Sequence, residues 1–86
     1  MNLLNEEQGE KLKDITKKLQ QLREQKGIHI EQIAAKILVR PAFLNALEEG
    51  RFEELPEPVY IQLFIRRYGD ALGIDGTALG QEFGDI

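Results

Sequence analysis

Helix-breaking residues recur along this chain at intervals that leave room only for short helices. Gly27, Pro41, Gly50, Pro56, Pro58 and Gly73 divide it into segments of at most 26 residues. Glycine readily adopts the left-handed position that ends a helix. Proline, lacking an N–H, suits a first helical turn. Between these breaks apolar residues recur three and four positions apart, and strand-like alternation is weak. The pattern predicts an all-α fold: one domain over residues 1–86, built from five helices.

The first helix is expected from Gly9 to Lys26. Leu12, Ile15, Leu19 and Leu22 fall on one face, while Lys13, Lys17, Lys18, Arg23 and Lys26 read as a solvated coat. Residues 1–8 read as a flexible tail. The second helix runs from Ile30 to Ile37, with His29 at the N-cap and Gln32 three positions on, a weakened capping box. The third begins at Pro41 and stops at Gly50, with Phe43, Leu44 and Leu47 facing inward. Phe52 and Leu55 pin the following loop to the core. Glu48, Glu49, Glu53 and Glu54 read as solubilising charge. A fourth helix lies within "LPEPVYIQLFIRRYGDALG", residues 55–73. A fifth follows Asp75, with Leu79 and Phe83 inward. Gly76, Gly80 and Gly84 should weaken it, and residues 84–86 are expected to fray.

The composition excludes several classes of function. The chain has no cysteine and one histidine, so it can form neither a disulfide framework nor a cysteine–histidine zinc site. It has no serine, and Thr16 and Thr77 have no paired base, so no nucleophile for catalysis is evident. No glycine-rich phosphate loop is present. We therefore expect neither an enzyme nor a cofactor or metal site. No apolar run approaches the roughly 20 residues of a bilayer span, and "MNLLNEEQGEKLK" lacks a signal-peptide apolar region. The chain reads as soluble.

The second and third helices, around "IEQIAAKILVRPAFLNALEEG", have helix-turn-helix proportions, with Ala34 as the small residue that permits close approach. The core is therefore repressor-like, and sequence-specific DNA binding is the alternative function. Asn45 could read adenine, and Arg40 could meet a phosphate or guanine, on a helix exposing Ala42, Asn45, Ala46 and Glu49. The charge argues against this alternative. Basic against acidic side chains number six to five over residues 1–26, two to three over 27–50 and three to seven over 51–86. Phosphate neutralisation supplies much of DNA affinity, and this distribution supplies little of it.

The fourth helix has more apolar surface than one core stripe needs. At about 100° per residue, with Val59 at zero, Ile61, Ile65, Tyr68 and Leu72 fall between about 180° and 240°. They suffice to dock the helix. Tyr60 and Phe64 fall at about 100° and 140°, and Leu63 and Arg67 at about 40° and 80°. These four form a second patch, partly turned from the core. Aromatics beside an arginine are the composition of an interface hot spot, so Tyr60→Ala and Phe64→Ala are expected to cost binding and spare the fold.

The segment "LQQLREQKGIHIEQIAAKILVRPAFLNALEEGRFEELPEPVYIQLFIRRYGDALGID" closely resembles the cytoplasmic N-terminal domain of RodZ, a bacterial cell-shape protein. "LREQKGI", "ALEEGRFEELP" and "PVYIQLFIRRYGDALGID" carry the resemblance, which covers about Leu12 to Leu79. The chain departs from the family pattern at His29, where serine or threonine is usual, and at Gly76, where proline is common. The resemblance implies a bitopic membrane protein whose span lies beyond this chain, with the domain at the cytoplasmic face of the inner membrane. It implies binding of the actin-like protein MreB through aromatic positions that map to Tyr60 and Phe64, aided by basic residues. Arg67 and Arg40 are the arginines expected to meet acidic groups on MreB.

Overall fold

Residues 4–84 are described by the computed structural model. Helix α1 is Glu6–Gln25, α2 Ile30–Ile37, α3 Pro41–Glu49, α4 Pro58–Ala71 and α5 Gly76–Phe83, with a 3₁₀ turn at Phe52–Glu54 between α3 and α4. No strand occurs among the described residues, and the fold is all-α as the periodicity predicts. Leu12, Ile15 and Leu19 of α1 lie in the core beside Ile33 and Ile37 of α2 and Leu44 and Leu47 of α3. Ile61, Ile65 and Tyr68 of α4 and its C-cap residue Leu72 complete it, with Phe83 closing it from α5. Each fully buried side chain of this size contributes about 1.5–3 kcal/mol. The four docking residues of α4 are therefore the ones the helical wheel selected.

Local signals fix most helix ends. Pro41 and Pro58 occupy first-turn positions, and Gly50 ends α3 with φ 76°. His29 caps α2 weakly: the Gln32 carboxamide accepts from its N–H at 2.8 Å. At α5 the Asp75 carboxylate accepts from the Ala78 N–H at 3.1 Å. The start of α1 differs from expectation, beginning at Glu6 rather than Gly9. Asn5 and Gln8 form a reciprocal capping box there, Gln8 N–H to Asn5 Oδ1 at 2.7 Å and Asn5 N–H to Gln8 Oε1 at 3.1 Å. Both residues are polar, so the apolar spacing did not register them. The expected tail of 1–8 therefore loses its last three residues to the helix; residues 1–3, like 85 and 86, lie outside the described residues.

The glycines of α5 have a different role from the one their propensity suggests. Of the helix pairs, α4 and α5 pack most extensively. Gly76 and Gly80 are buried in that seam, Gly76 opposite Gly69 of α4 and Gly80 opposite Gln62. A Cβ at Gly76 would lie 1.9 Å from the Arg66 carbonyl oxygen, and one at Gly69 would lie 2.8 Å from the Gly76 Cα. At Gly76 the low helix propensity is thus offset by a close backbone approach that a side chain would obstruct, whereas a Cβ at Gly80 would meet Gln62 only at an ordinary 3.4 Å.

A buried polar network joins three helices. Arg23 of α1 and Glu48 of α3 form a two-pronged ion pair, Nε to Oε2 at 3.0 Å and Nη2 to Oε1 at 2.8 Å. Their side chains are only 13% and 8% exposed. Arg23 also donates to the Ile28 carbonyl at 2.7 Å and to the Tyr68 hydroxyl at 3.1 Å, and that hydroxyl donates to Glu48. This corrects the reading of Arg23 as part of a solvated coat and of Glu48 as solubilising charge. The hydrogen bonds from Arg23 to Glu48 hold the guanidinium further above its ordinary value.

Burial first, and then the hydrogen bond to Glu48, push the Tyr68 phenol above its ordinary value of 10.0. The folded state therefore holds this proton more tightly than the unfolded chain. The stability so conferred is complete below about pH 10 and is lost as pH rises toward the folded value. Between pH 10 and 12, the urea-unfolding free energy should fall more steeply than that of Tyr68→Phe. The difference should approach about 1.4 kcal/mol per pH unit. Parallel slopes for the two proteins would contradict it.

Candidate partner-binding surface

Helix α4 buries one arc in the core and packs a second against α5, which leaves its first turn partly uncovered. Tyr60 is 51% exposed and Val59 49%, both in the first turns, where no other helix covers them. Leu63 is half-buried between them and the rest of the face, and Arg66 and Arg67 are exposed alongside. Val59, Tyr60, Leu63 and Arg66 form one wall of a shallow groove of about 400 Å³, and Thr77 and Gln81 of α5 stand on the other side.

Phe64 does not belong to this surface in the way Tyr60 does. It is 8% exposed, and its ring stacks on Phe43 of α3 with centroids 5.8 Å apart and planes 22° from parallel. The reason is angular. Phe64 sits about 40° closer than Tyr60 to the centre of the buried stripe, and Phe43, half-buried on α3, supplies the ring that covers it. Truncating Phe64 therefore opens the core, contrary to the expectation that the fold would be spared. Val59 takes its place in the apolar patch. Its wheel position opposite the docking stripe was the available signal, masked by its place next to Pro58.

The two arginines are placed differently. Arg67 is exposed and donates from Nη1 to the Ile37 carbonyl at 3.3 Å, which brings the end of α2 against the patch. Arg40 is exposed at the N-cap of α3, with no side-chain capping bond. It lies on the helix-turn-helix side rather than among the α4 residues. Between them Leu38 projects, 86% exposed, with φ 59° and ψ 44°. Sequence reasoning missed Leu38, because a leucine among apolar neighbours reads as core.

The face of α3 offers less to DNA than its sequence suggested. Ala46, one of the residues assigned to that face, is 1% exposed, and Asn45 is half-buried. Of the two glutamates at the end of this helix, Glu48 is turned inward to Arg23. Glu49 is exposed and pairs with Arg51 at 3.2 Å. Ala42 and Arg40 remain exposed, leaving little on this helix to read bases.

Among the described residues, no helix is long and apolar enough to cross a membrane. The chain is 32% identical over 53 residues to an uncharacterized membrane protein, YmfM, of Bacillus subtilis (strain 168). The match covers 62% of this chain and 18% of that protein, so the chain spans a small part of its relative's length. No solved structure gives a significant match. A family model described as a helix-turn-helix domain matches residues 18–79, which takes in α2, α3 and α4 whole, the C-terminal part of α1 and the first half of α5. On that match and the observed α2–turn–α3 geometry, the chain belongs to the helix-turn-helix domain family.

Proposed function

We propose that this chain is a protein-binding adaptor domain of the RodZ type, which docks MreB and couples it to a membrane anchor at the cytoplasmic face. The observation that carries this reading is Tyr60, half exposed beside Val59 and Leu63 on a helix whose core stripe is complete without them. An exposed aromatic with arginines at its border is the anatomy of an interface centre and rim. The sequence resemblance to RodZ over Leu12 to Leu79 supports the choice of partner, and the match to a membrane protein supports an anchor outside this chain. In this mechanism Tyr60 and Val59 enter an apolar recess on MreB, and Leu63 backs them. Arg67 and Arg40 meet carboxylates at the edge. Phe64 acts from beneath, holding the first turns of α4 in place through its stack on Phe43.

The two aromatics should then separate experimentally. Tyr60→Ala should weaken MreB binding by about 2 kcal/mol or more and leave the melting temperature within a few degrees of the parent. Phe64→Ala should lower stability itself by about 3 kcal/mol. Calorimetric titration against MreB, with thermal melts of both variants and a duplex DNA control, measures all three quantities. Parent-strength MreB binding by Tyr60→Ala sinks the reading; specific duplex binding that survives about 150 mM salt and depends on Arg40 or Asn45 replaces it with the DNA alternative.

A further inference from the structure

Leu38 has two features that a turn residue normally avoids together. Its backbone is left-handed, φ 59° and ψ 44°, the only non-glycine residue with positive φ among those described. A side chain in that region is strained, and glycine is the usual occupant. Its side chain is also 86% exposed, the most exposed large apolar residue described. Neither the core nor the turn gains from a leucine here, because the turn's bond from the Val39 N–H to the Ala34 carbonyl, 3.0 Å, uses backbone alone.

The surroundings are basic in a chain of net charge −4. Lys36 and Arg67 line a shallow groove with Leu38, and Arg40 is two residues away. None of the three enters an ion pair among the described residues. The one carboxylate on the groove, Asp70, accepts from the Gly76 N–H at 3.1 Å. Arg67 joins this region to the α4 patch: it neighbours Tyr60 and Leu63 around the helix, and it donates to Ile37, the residue before Leu38.

We infer that the binding surface runs off α4 across the helix-turn-helix turn, with Leu38 as a second apolar anchor for a protein partner that presents carboxylates around an apolar recess. The inference rests on the adaptor reading. Charge complementarity selects an acidic partner, and continuity through Arg67 makes it the partner that covers Tyr60. A lone leucine lacks the broad apolar face that membrane-surface binding uses. Nucleic-acid backbone contacts use polar and charged donors, for which a projecting leucine is a poor centre.

The test is titration of MreB with the parent chain, Leu38→Gly and Leu38→Met, together with thermal melts. Leu38→Gly should melt no lower than the parent, since glycine adopts this conformation without strain, yet bind at least about tenfold more weakly. Leu38→Met should bind within about threefold of the parent. Parent-strength binding by Leu38→Gly, or collapse of its fold, overturns the anchor role while leaving the Tyr60 result standing. If the parent does not bind MreB, the adaptor reading and this inference fall together. Leu38-dependent capture on anionic phospholipid vesicles, with MreB binding unchanged, overturns the protein partner.

Discussion

Gly76→Ala should destabilise this domain by about 3 kcal/mol, near the upper end for overpacking, although alanine is the better helix former by about 1 kcal/mol. The new Cβ would fall 1.9 Å from the carbonyl oxygen of Arg66 and 2.8 Å from the Asp70 carboxylate. The first obstacle is backbone, which cannot rotate out of the way as a side-chain tip can. Either α5 lifts off α4, uncovering Phe83, or α4 bends. For a domain of this length each kcal/mol lowers the melting temperature by about 4–8 °C, so a fall of more than 10 °C is expected. Gly9→Ala is the control. It lies within α1 with nothing within 4 Å of the added carbon, and it should stabilise by about 0.5–1 kcal/mol. Thermal melts of both variants decide the matter, and a neutral Gly76→Ala would mean that the seam is looser than the described approach.

The second large effect is expected at Glu48. Removing it as Glu48→Ala leaves Arg23 with its guanidinium largely buried and its charge uncompensated, at a cost of about 3–5 kcal/mol. A domain of this size has a total stability on the order of 4–13 kcal/mol, so the variant should be partly unfolded near body temperature. The pair itself is not expected to be worth that much. Replacing both partners with apolar residues, as Arg23→Met with Glu48→Leu, should recover most of the loss, because desolvation offsets much of the attraction between buried charges. Urea unfolding of the single and double variants separates the two quantities. Equal losses in the single and double variants would show that the ion pair contributes net stability.

Both effects concern features that the sequence presented in another guise. Gly76 and Gly80 read as weak points in a helix, because propensity is a property of one residue and its immediate neighbours. The use of Gly76 depends on how closely another helix approaches, which no local pattern reports. Arg23 and Glu48 are 25 positions apart, and each sits among residues of its own kind, lysines on α1 and glutamates at the end of α3. Their pairing is invisible until α1 and α3 are packed together.

The candidate surface was legible in part. The wheel placed the docking stripe of α4 correctly and placed Tyr60 outside it. It could not say how far the neighbouring helices reach around each side. Phe64, only about 40° from Tyr60, was covered because Phe43 of α3 lies there. Val59 and Leu38 were left exposed because nothing lies over them.

The order and number of the helices, most of their ends and the inward stripe of α4 follow from the sequence alone. Caps, prolines and apolar spacing act within one or two turns, so their outcome is fixed before any helix meets another. Tertiary structure decided which of two adjacent aromatics is free, that a charged coat residue is a buried strut, and that three glycines form a seam. It also decided that a leucine stands out on a left-handed turn. Each depends on the distance and direction of a neighbouring element, which the chain specifies only through the packing of all five helices at once.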